Sequence, residues 1–420
     1  MSWATAAMVL RARILLPVSG PPIEDGAVIV SGKCIAAVGP WRDLARHRGR
    51  KAVDLGEVLL LPGLVNAHCH LDYTDMAGLL PPQRSFTDWI KLITSLKAEW
   101  TPTDFRRSWV RGAAMMLRSG TTTVGDIEAV PDLLPDVWHA TPLRVLSFLE
   151  MTGIRARRAP EAVLREAAGK IHSLPRGRCH AGLSPHAPYS TLPELLQRTA
   201  VLARKHHWRV TTHVGESRQE YEMFRHGRGE MFRWLRRNER DMSDCGLGSP
   251  VQHLHRTGLL GEHLLAVHAN HLARGDAELL AQHGVSVAHC PRSHRYFDHR
   301  RFLLRRLLRA GVNVCLGTDS LATVRKMPRQ TVELSLFDEM QELAYREPWL
   351  SAKHIVSMVT VNGARALGLG GQTGELAPGA FADLAMLPYA GTLAEVWEAV
   401  VQHRGPVAAS MVDGEWAWRS

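Results

Sequence analysis

The chain has 420 residues, 45% of them hydrophobic and 22% charged, a balance that fits a soluble globular protein with one large domain beside a smaller one. No run reaches about 18 consecutive apolar residues, so no membrane-spanning helix is expected. The net charge of +10 is concentrated in 202–240 and 292–309. With no nucleic-acid motif beside it, it reads as solvated Arg-rich helix faces, or as a field that draws in an anionic substrate.

The opening stretch MSWATAAMVLRARILLPVSG carries Arg11 and Arg13 inside its apolar part. It reads as a first β-strand rather than a signal peptide, so a cytoplasmic location and no membrane partner are expected. Cys34, Cys69, Cys179, Cys245, Cys290 and Cys315 form no Cys-x-x-Cys pair and read as reduced, mostly buried thiols. In 7–58, VIVSGKCIAAVG alternates like a hairpin that turns at Ser31–Gly32.

From about 60 to 320 one pattern recurs eight times: a short apolar, β-branched run, polar residues at its end, then an amphipathic helical stretch. The runs are LLLPGLVNAHCH (59–70), TTTVGDIEA (121–129), LRVLSFLEM (143–151) and CHAGLSPHAP (179–188), then RVTTHVGES (209–217), LLAVHANHL (264–272), VSVAHCPRS (285–293) and VNVCLGTDS (312–320). Strands alternating with helices imply parallel pairing with right-handed crossovers, and eight such units make a (β/α)8 TIM-like barrel. Residues 351–369 read as a helical hairpin that finishes it. GELAPGAFADLAML and AASMVDGEW, within 372–419, read as strand–turn–strand again. The expected organisation is an α/β chain. Segments 1–58 and 370–420 form a small β-sandwich domain, and 59–369 form the barrel. The insertion at 218–262 is long for a βα loop. Its Met223, Phe224, Met231, Phe232 and Trp234 read either as a cover over the substrate or as an amphipathic stripe packed on the barrel.

The chemistry-bearing residues sit at the C-terminal ends of the runs, the face where this fold places active sites. His68 and His70, at i and i+2 of a strand, point to one side. With His213 and Asp319 they make three imidazoles and a carboxylate, a donor set for one divalent metal ion, zinc or iron, that leaves room for water. A metal lowers the pKa of such water towards neutrality. Asp319 doubles as a proton acceptor; its rival role, in GTDS, is a helix N-cap. Glu216, three residues after His213, can lean over the site as a proton carrier, or form a salt bridge with an arginine. His268 would hydrogen-bond the water or the developing oxyanion. His186 faces the substrate, since the metal set is already filled. His289 and His294, at the seventh strand end, read as pocket lining or structural hydrogen-bonders. No lysine stands at the fourth strand end to bridge two metals, which favours a single ion.

PGLVNAHCHLD, GTTTVGD, SPHAPYS, THVGES, VHANHL, HCPRS, LGTDS and GELAPGAFADLAML occur in that order along nearly the whole chain. Together they resemble the amidohydrolase superfamily, in its branch of cytosine, guanine and S-adenosylhomocysteine deaminases and s-triazine hydrolases. The resemblance implies a mononuclear zinc or iron site at His68, His70, His213 and Asp319, with Glu216 and His268 as the proton-handling pair. It also implies His186 as a substrate contact, with Trp89 and His294 in the pocket, and a homodimer. Two departures stand out. His294 replaces an asparagine of many relatives, and the ribose-binding acid expected after FTDWI (86–90) has only Glu99 as a candidate.

The leading expectation is a hydrolase of non-peptide carbon–nitrogen bonds that deaminates an amino-substituted N-heterocycle: a purine, pyrimidine or related base or nucleoside. Metal-bound hydroxide would attack the amine-bearing carbon. The rivals are cyclic-amide ring opening, as in imidazolonepropionase-like relatives, triazine chloro- or aminohydrolysis, and a non-catalytic scaffold.

Overall fold

Inward–outward alternation along short buried strands, broken by a register shift between Asn66 and Cys69, produces two concentric apolar layers. The structure, a computed structural model, describes residues 8–45, 51–153, 159–327 and 329–420. The barrel strands are β1 (Leu64–Cys69), β2 (Thr121–Glu128), β3 (Arg144–Met151), β4 (His180–Pro185), β5 (Val210–Val214), β6 (Leu264–His268), β7 (Ser286–His289) and β8 (Asn313–Leu316). They pair in parallel in sequence order. Val65, Ala67, Leu265 and Val267 point into the barrel interior. Their neighbours Leu64, Leu264 and Ala266 face the helices. Leu367, beyond the last helical turn of the hairpin (Ala352–Met358 and Val361–Ala366), enters the interior core from the N-terminal end of the barrel.

Closure between β8 and β1 occurs at their C-terminal ends, through a parallel bridge between Cys69 and Asp319. The Asp319 N–H donates to the His68 carbonyl at 3.1 Å. Gly317 permits this approach, because a Cβ there would lie 2.6 Å from His68 O and 2.8 Å from His68 Cβ.

The terminal segments build one mixed eight-stranded sheet. Its order is Glu415–Arg419, Ala409–Val412, Leu384–Pro388, Val58–Pro62, Met8–Leu15, Ile23–Ser31 and Cys34–Pro40, with Lys51–Asp54 also on Met8–Leu15. Leu10, Val28, Leu60, Leu384 and Met411 share its core. The turn at Gly414 packs on the turn at Gly32, where any Cβ would fall 2.2 Å from the Gly32 carbonyl, so the two ends of the sheet meet. The opening strand starts at Met8; residues 1–7 of that expectation lie outside the described residues. The run 59–70, read as one strand, is two. Val58–Pro62 belongs to the terminal sheet and Leu64–Cys69 to the barrel. The break falls at Gly63, where a Cβ would lie 2.0 Å from Thr122 Oγ1. Arg144, opening β3, ties the two parts together by donating to Asp383 Oδ2 at 2.7 Å and to Asp413.

The insertion forms helices Arg218–His226, Glu230–Arg237 and Pro250–Arg256. Met223, Phe224, Met231 and Leu235 are buried in one cluster with Tyr73, Phe86, Trp89 and Tyr189. The apolar stripe is therefore packed, and it packs above the catalytic face. No helix among the described residues is long and apolar enough to cross a membrane.

Candidate metal centre and catalytic cavity

Five side chains from four strand ends converge on one point. One set of donor atoms within 4.8 Å of one another comes from His68, His213 and His268; a second comes from His68, His70 and Asp319. Asp319 Oδ1 lies 3.7 Å from His68 Nε2 and 3.8 Å from His70 Nε2, and His70 Nε2 is 3.4 Å from His213 Nε2. His213 Nδ1 sits 2.8 Å from the His186 carbonyl, which fixes Nδ1 as the protonated nitrogen and leaves the Nε2 lone pair facing the centre. Asp319 and His268 take left-handed backbone conformations, φ +53° and +72°. Such backbone, costly for residues with a Cβ, concentrates at active sites.

The protonation states suit a cation. Burial pushes His213 down to about 3, with His186 and His68 adding to the shift. Burial likewise lowers His70 and His268 well below the usual imidazole value. Burial would raise Asp319, but the imidazoles of His68, His268 and His70 close around it and hold it well below the usual carboxylate range. Neutral imidazoles around an ionised carboxylate are the donor set of a divalent metal. Both ring nitrogens of His68 and Nδ1 of His70 are buried without a hydrogen-bond partner, a cost that a bound ion would remove at His68. His68, His70, His213 and Asp319 thus fit a divalent ion.

Glu216 stands beside this centre, its Oε1 3.4 Å from His268 Nε2. Burial, then the charges of Asp319 and Glu220, raise its pKa well above the carboxylate norm. Its backbone is held from below. Glu220 accepts from the N–H groups of Gly215 at 3.1 Å and Glu216 at 2.9 Å, and Ser217 caps the helix by accepting from the Glu220 N–H. Asn270 Nδ2 donates to the Glu216 carbonyl at 3.0 Å. Sequence reasoning missed Glu220. Its signal was present in the Ser-x-x-Glu spacing of a capping box, although here the carboxylate reaches back past the cap residue.

The centre lies in a cavity of about 550 Å³ lined by Trp89, His186, Trp234, Lys97 and Glu150, among others. His186 keeps its Nδ1 2.7 Å from Ser190 Oγ. Trp89 lines the cavity and packs against Phe297, ring centres 5.1 Å apart. His294 does not line it. Its Nδ1 meets Asn270 Oδ1 at 3.0 Å and its Nε2 meets the Arg300 carbonyl at 2.8 Å, so both nitrogens are committed to protein partners. His289 also stands apart, stacked on Phe302 at 3.8 Å.

Lys97 and Glu150 are the functional surprises. Glu99, the acid sought after FTDWI, is exposed, whereas Lys97 on the same helix (Phe86–Glu99) reaches into the cavity. Its Nζ lies 3.6 Å from Glu150 Oε1 and 4.8 Å over the Tyr73 ring. Burial would raise Glu150, but Lys97, His186 and His213 outweigh it and keep the carboxyl low and ionised. Glu150 closes β3, so the strand-end rule that marked the histidines marked it too.

A parallel barrel that gathers buried histidines, an aspartate and a glutamate at its C-terminal face fits a hydrolase that could hold a divalent ion. The chain belongs to the amidohydrolase family, which it matches over residues 59–417, and it hydrolyses carbon–nitrogen bonds other than peptide bonds. It is 32% identical over 394 residues to a 5-methylthioadenosine/S-adenosylhomocysteine deaminase from Syntrophobacter fumaroxidans, covering 90% of this chain and 83% of the relative. It is 30% identical over 383 residues to a 5'-deoxyadenosine deaminase from Methanothermobacter thermautotrophicus, covering 88% and 84%. Among solved structures, an adenosine deaminase from Xanthomonas campestris with bound zinc superposes with a TM-score of 0.83 at 25% identity, covering 97% of this chain and 92% of that one.

Proposed function

We propose that the chain deaminates the amine-bearing ring carbon of a purine-type nucleoside. The observation that carries this is buried Glu216 set against His268 at the edge of the His/Asp centre, inside a cavity roomy enough for a base and its substituent. The relatives named above, deaminases of adenosine derivatives, support the same substrate class.

His68, His70, His213 and Asp319 would hold the ion, with zinc favoured by the imidazole-rich set and iron as the alternative. When bound, the ion supplies Lewis-acid activation of a water molecule. Glu216 gives its proton to the ring nitrogen next to the attacked carbon, making that carbon more electrophilic. Asp319, ionised, takes a proton from the water and passes it towards the amine. His268 donates to the oxygen as negative charge gathers there. One C–O bond forms, the exocyclic C–N bond breaks and ammonia leaves, while the proton remaining on the new hydroxyl passes to Glu216, which restores the acid and leaves the product carbonyl. Trp89, Trp234 and the ring of His186 bound the cavity on its apolar sides. Lys97 and Glu150 meet the hydroxyls of the substituent, the first as donor and the second as acceptor. The six unpaired cysteines support a reducing, cytoplasmic setting.

The Glu216→Gln variant keeps the shape of the carboxyl and removes its acid proton. It should bind metal as the parent does while ammonia release falls by about 10²–10⁴-fold. Near-parental turnover would sink the proposed proton donor.

A further inference from the structure

A second polar cavity, of about 410 Å³, lies at the other end of the barrel, where β3, β4 and β5 begin. Arg144 opens β3, Arg178 stands two residues before β4 and Arg209 one residue before β5. Arg176 also lines it, as do His172, His180 and His207, and no Asp or Glu does among the described residues. Leu367, which also lines it, enters the interior core of the barrel and so stands between this cavity and the catalytic one.

The arginines differ in how they are satisfied. Arg144 is neutralised by Asp383 and Asp413. Arg178 donates only to carbonyls, to Thr141 at 2.8 Å and Leu143 at 3.2 Å. Arg209 likewise donates to the Glu262 carbonyl at 2.7 Å and to the Ala366 carbonyl. Carbonyls fix the direction of a guanidinium but bring no countercharge. Burial pushes Arg209 down to about 10, against the opposing charge of Glu262. Arg176 is exposed and has no ion pair or hydrogen bond among the described residues. Three guanidinium charges therefore border one concavity that no carboxylate lines among the described residues, with Glu262 acting on Arg209 from outside it.

We propose that this cavity binds a multivalent oxyanion, either inorganic phosphate or the phosphate group of a small organic molecule, independently of the deamination proposed above. Guanidinium forks match phosphate oxygens in pairs, and two of the three are already oriented by carbonyls, so little side-chain freedom is lost on binding. Recognition falls on the phosphate rather than on an aromatic base. Trp208, the aromatic ring at the rim, already stacks on His206 at 4.7 Å and meets His172 at 5.2 Å.

The test titrates the full chain with inorganic phosphate and with ribose 5-phosphate, followed by calorimetry. Saturable binding at one site per chain is expected. It should weaken about tenfold in Arg176→Ala, a change that removes no protein contact, and further in Arg176→Ala/Arg178→Gln. Glu216→Gln should bind as the parent does. Tighter binding of ribose 5-phosphate would assign the site to a phosphorylated metabolite, and equal binding to the free anion. No saturable binding of either anion, affinity unchanged in Arg176→Ala, or binding lost in Glu216→Gln would each overturn the proposal.

Discussion

Glu216 depends on a neighbour that touches no substrate. Glu220 is buried, and burial, partly opposed by the N–H groups of Gly215, Glu216 and Ser217, raises it to about 7. An acid whose folded pKa exceeds its unfolded value is stable folded when protonated. It costs stability progressively as pH rises from about 4.5, where the unfolded chain ionises, to about 7. Glu220→Gln mimics the protonated form, so its stability relative to the parent should improve between pH 5 and about pH 7 and stay level above that. Denaturant titrations at several pH values measure this, and a pH-independent difference would refute the assignment. In the cavity, Glu150→Gln should raise KM about tenfold for a nucleoside and leave the free base unaffected, as expected for the loss of one charge-assisted acceptor. An equal effect on both would remove Glu150 from substituent recognition. Individual residues were unevenly legible in the sequence. His68, His70, His213 and Asp319 stand at or just beyond strand ends on the C-terminal face, a position the run pattern marks, although the register shift between Asn66 and Cys69 that aims His68 inward was not legible. Lys97 rather than Glu99 enters the cavity because the rotation of the helix Phe86–Glu99 is set by Phe86, Trp89 and Ile93 packing in the apolar cluster. His294 stayed between pocket lining and structural hydrogen bonding because its partners, Asn270 and the Arg300 carbonyl, become known only through the fold.

Among elements, the seam between β8 and β1 matters most. It is held at Cys69 and Asp319, so barrel closure and assembly of the metal set are one event. Gly317→Ala would press a methyl against the His68 backbone and should cost about 2–4 kcal/mol and lower the metal stoichiometry together. Denaturation and metal analysis on one preparation measure both. Lost metal without lost stability would separate the seam from the site. The eight strand–helix units were readable from their periodicity. The division of the run 59–70 was not, because an apolar stretch through Pro62-Gly63 has the same composition whichever sheet it joins. What divides it is the contact with Thr122, a residue about sixty positions away.

At the scale of the whole molecule the barrel has two unlike ends: an apolar-roofed end that holds the His/Asp centre and a basic end. The terminal sheet is fastened near the basic end through Arg144, Asp383 and Asp413, all buried. Arg144→Ala strands the buried carboxylate of Asp383 and leaves Asp413 with Lys33 alone, and should cost about 3–5 kcal/mol, visible as a lowered denaturation midpoint. The net charge of +10 could be read in the sequence as a solvated surface, yet part of it lines a concavity, a distinction that depends on which arginines find carboxylates in three dimensions. The central claim joins the His/Asp centre to ammonia release from a purine-type nucleoside. It is tested most directly by measuring metal content and ammonia on the same preparation, across aminated nucleosides and bases. The account predicts about one divalent ion per chain and one ammonia for each nucleoside consumed. A full complement of metal with substrate consumed by ring opening or halide loss, and no ammonia, would contradict it.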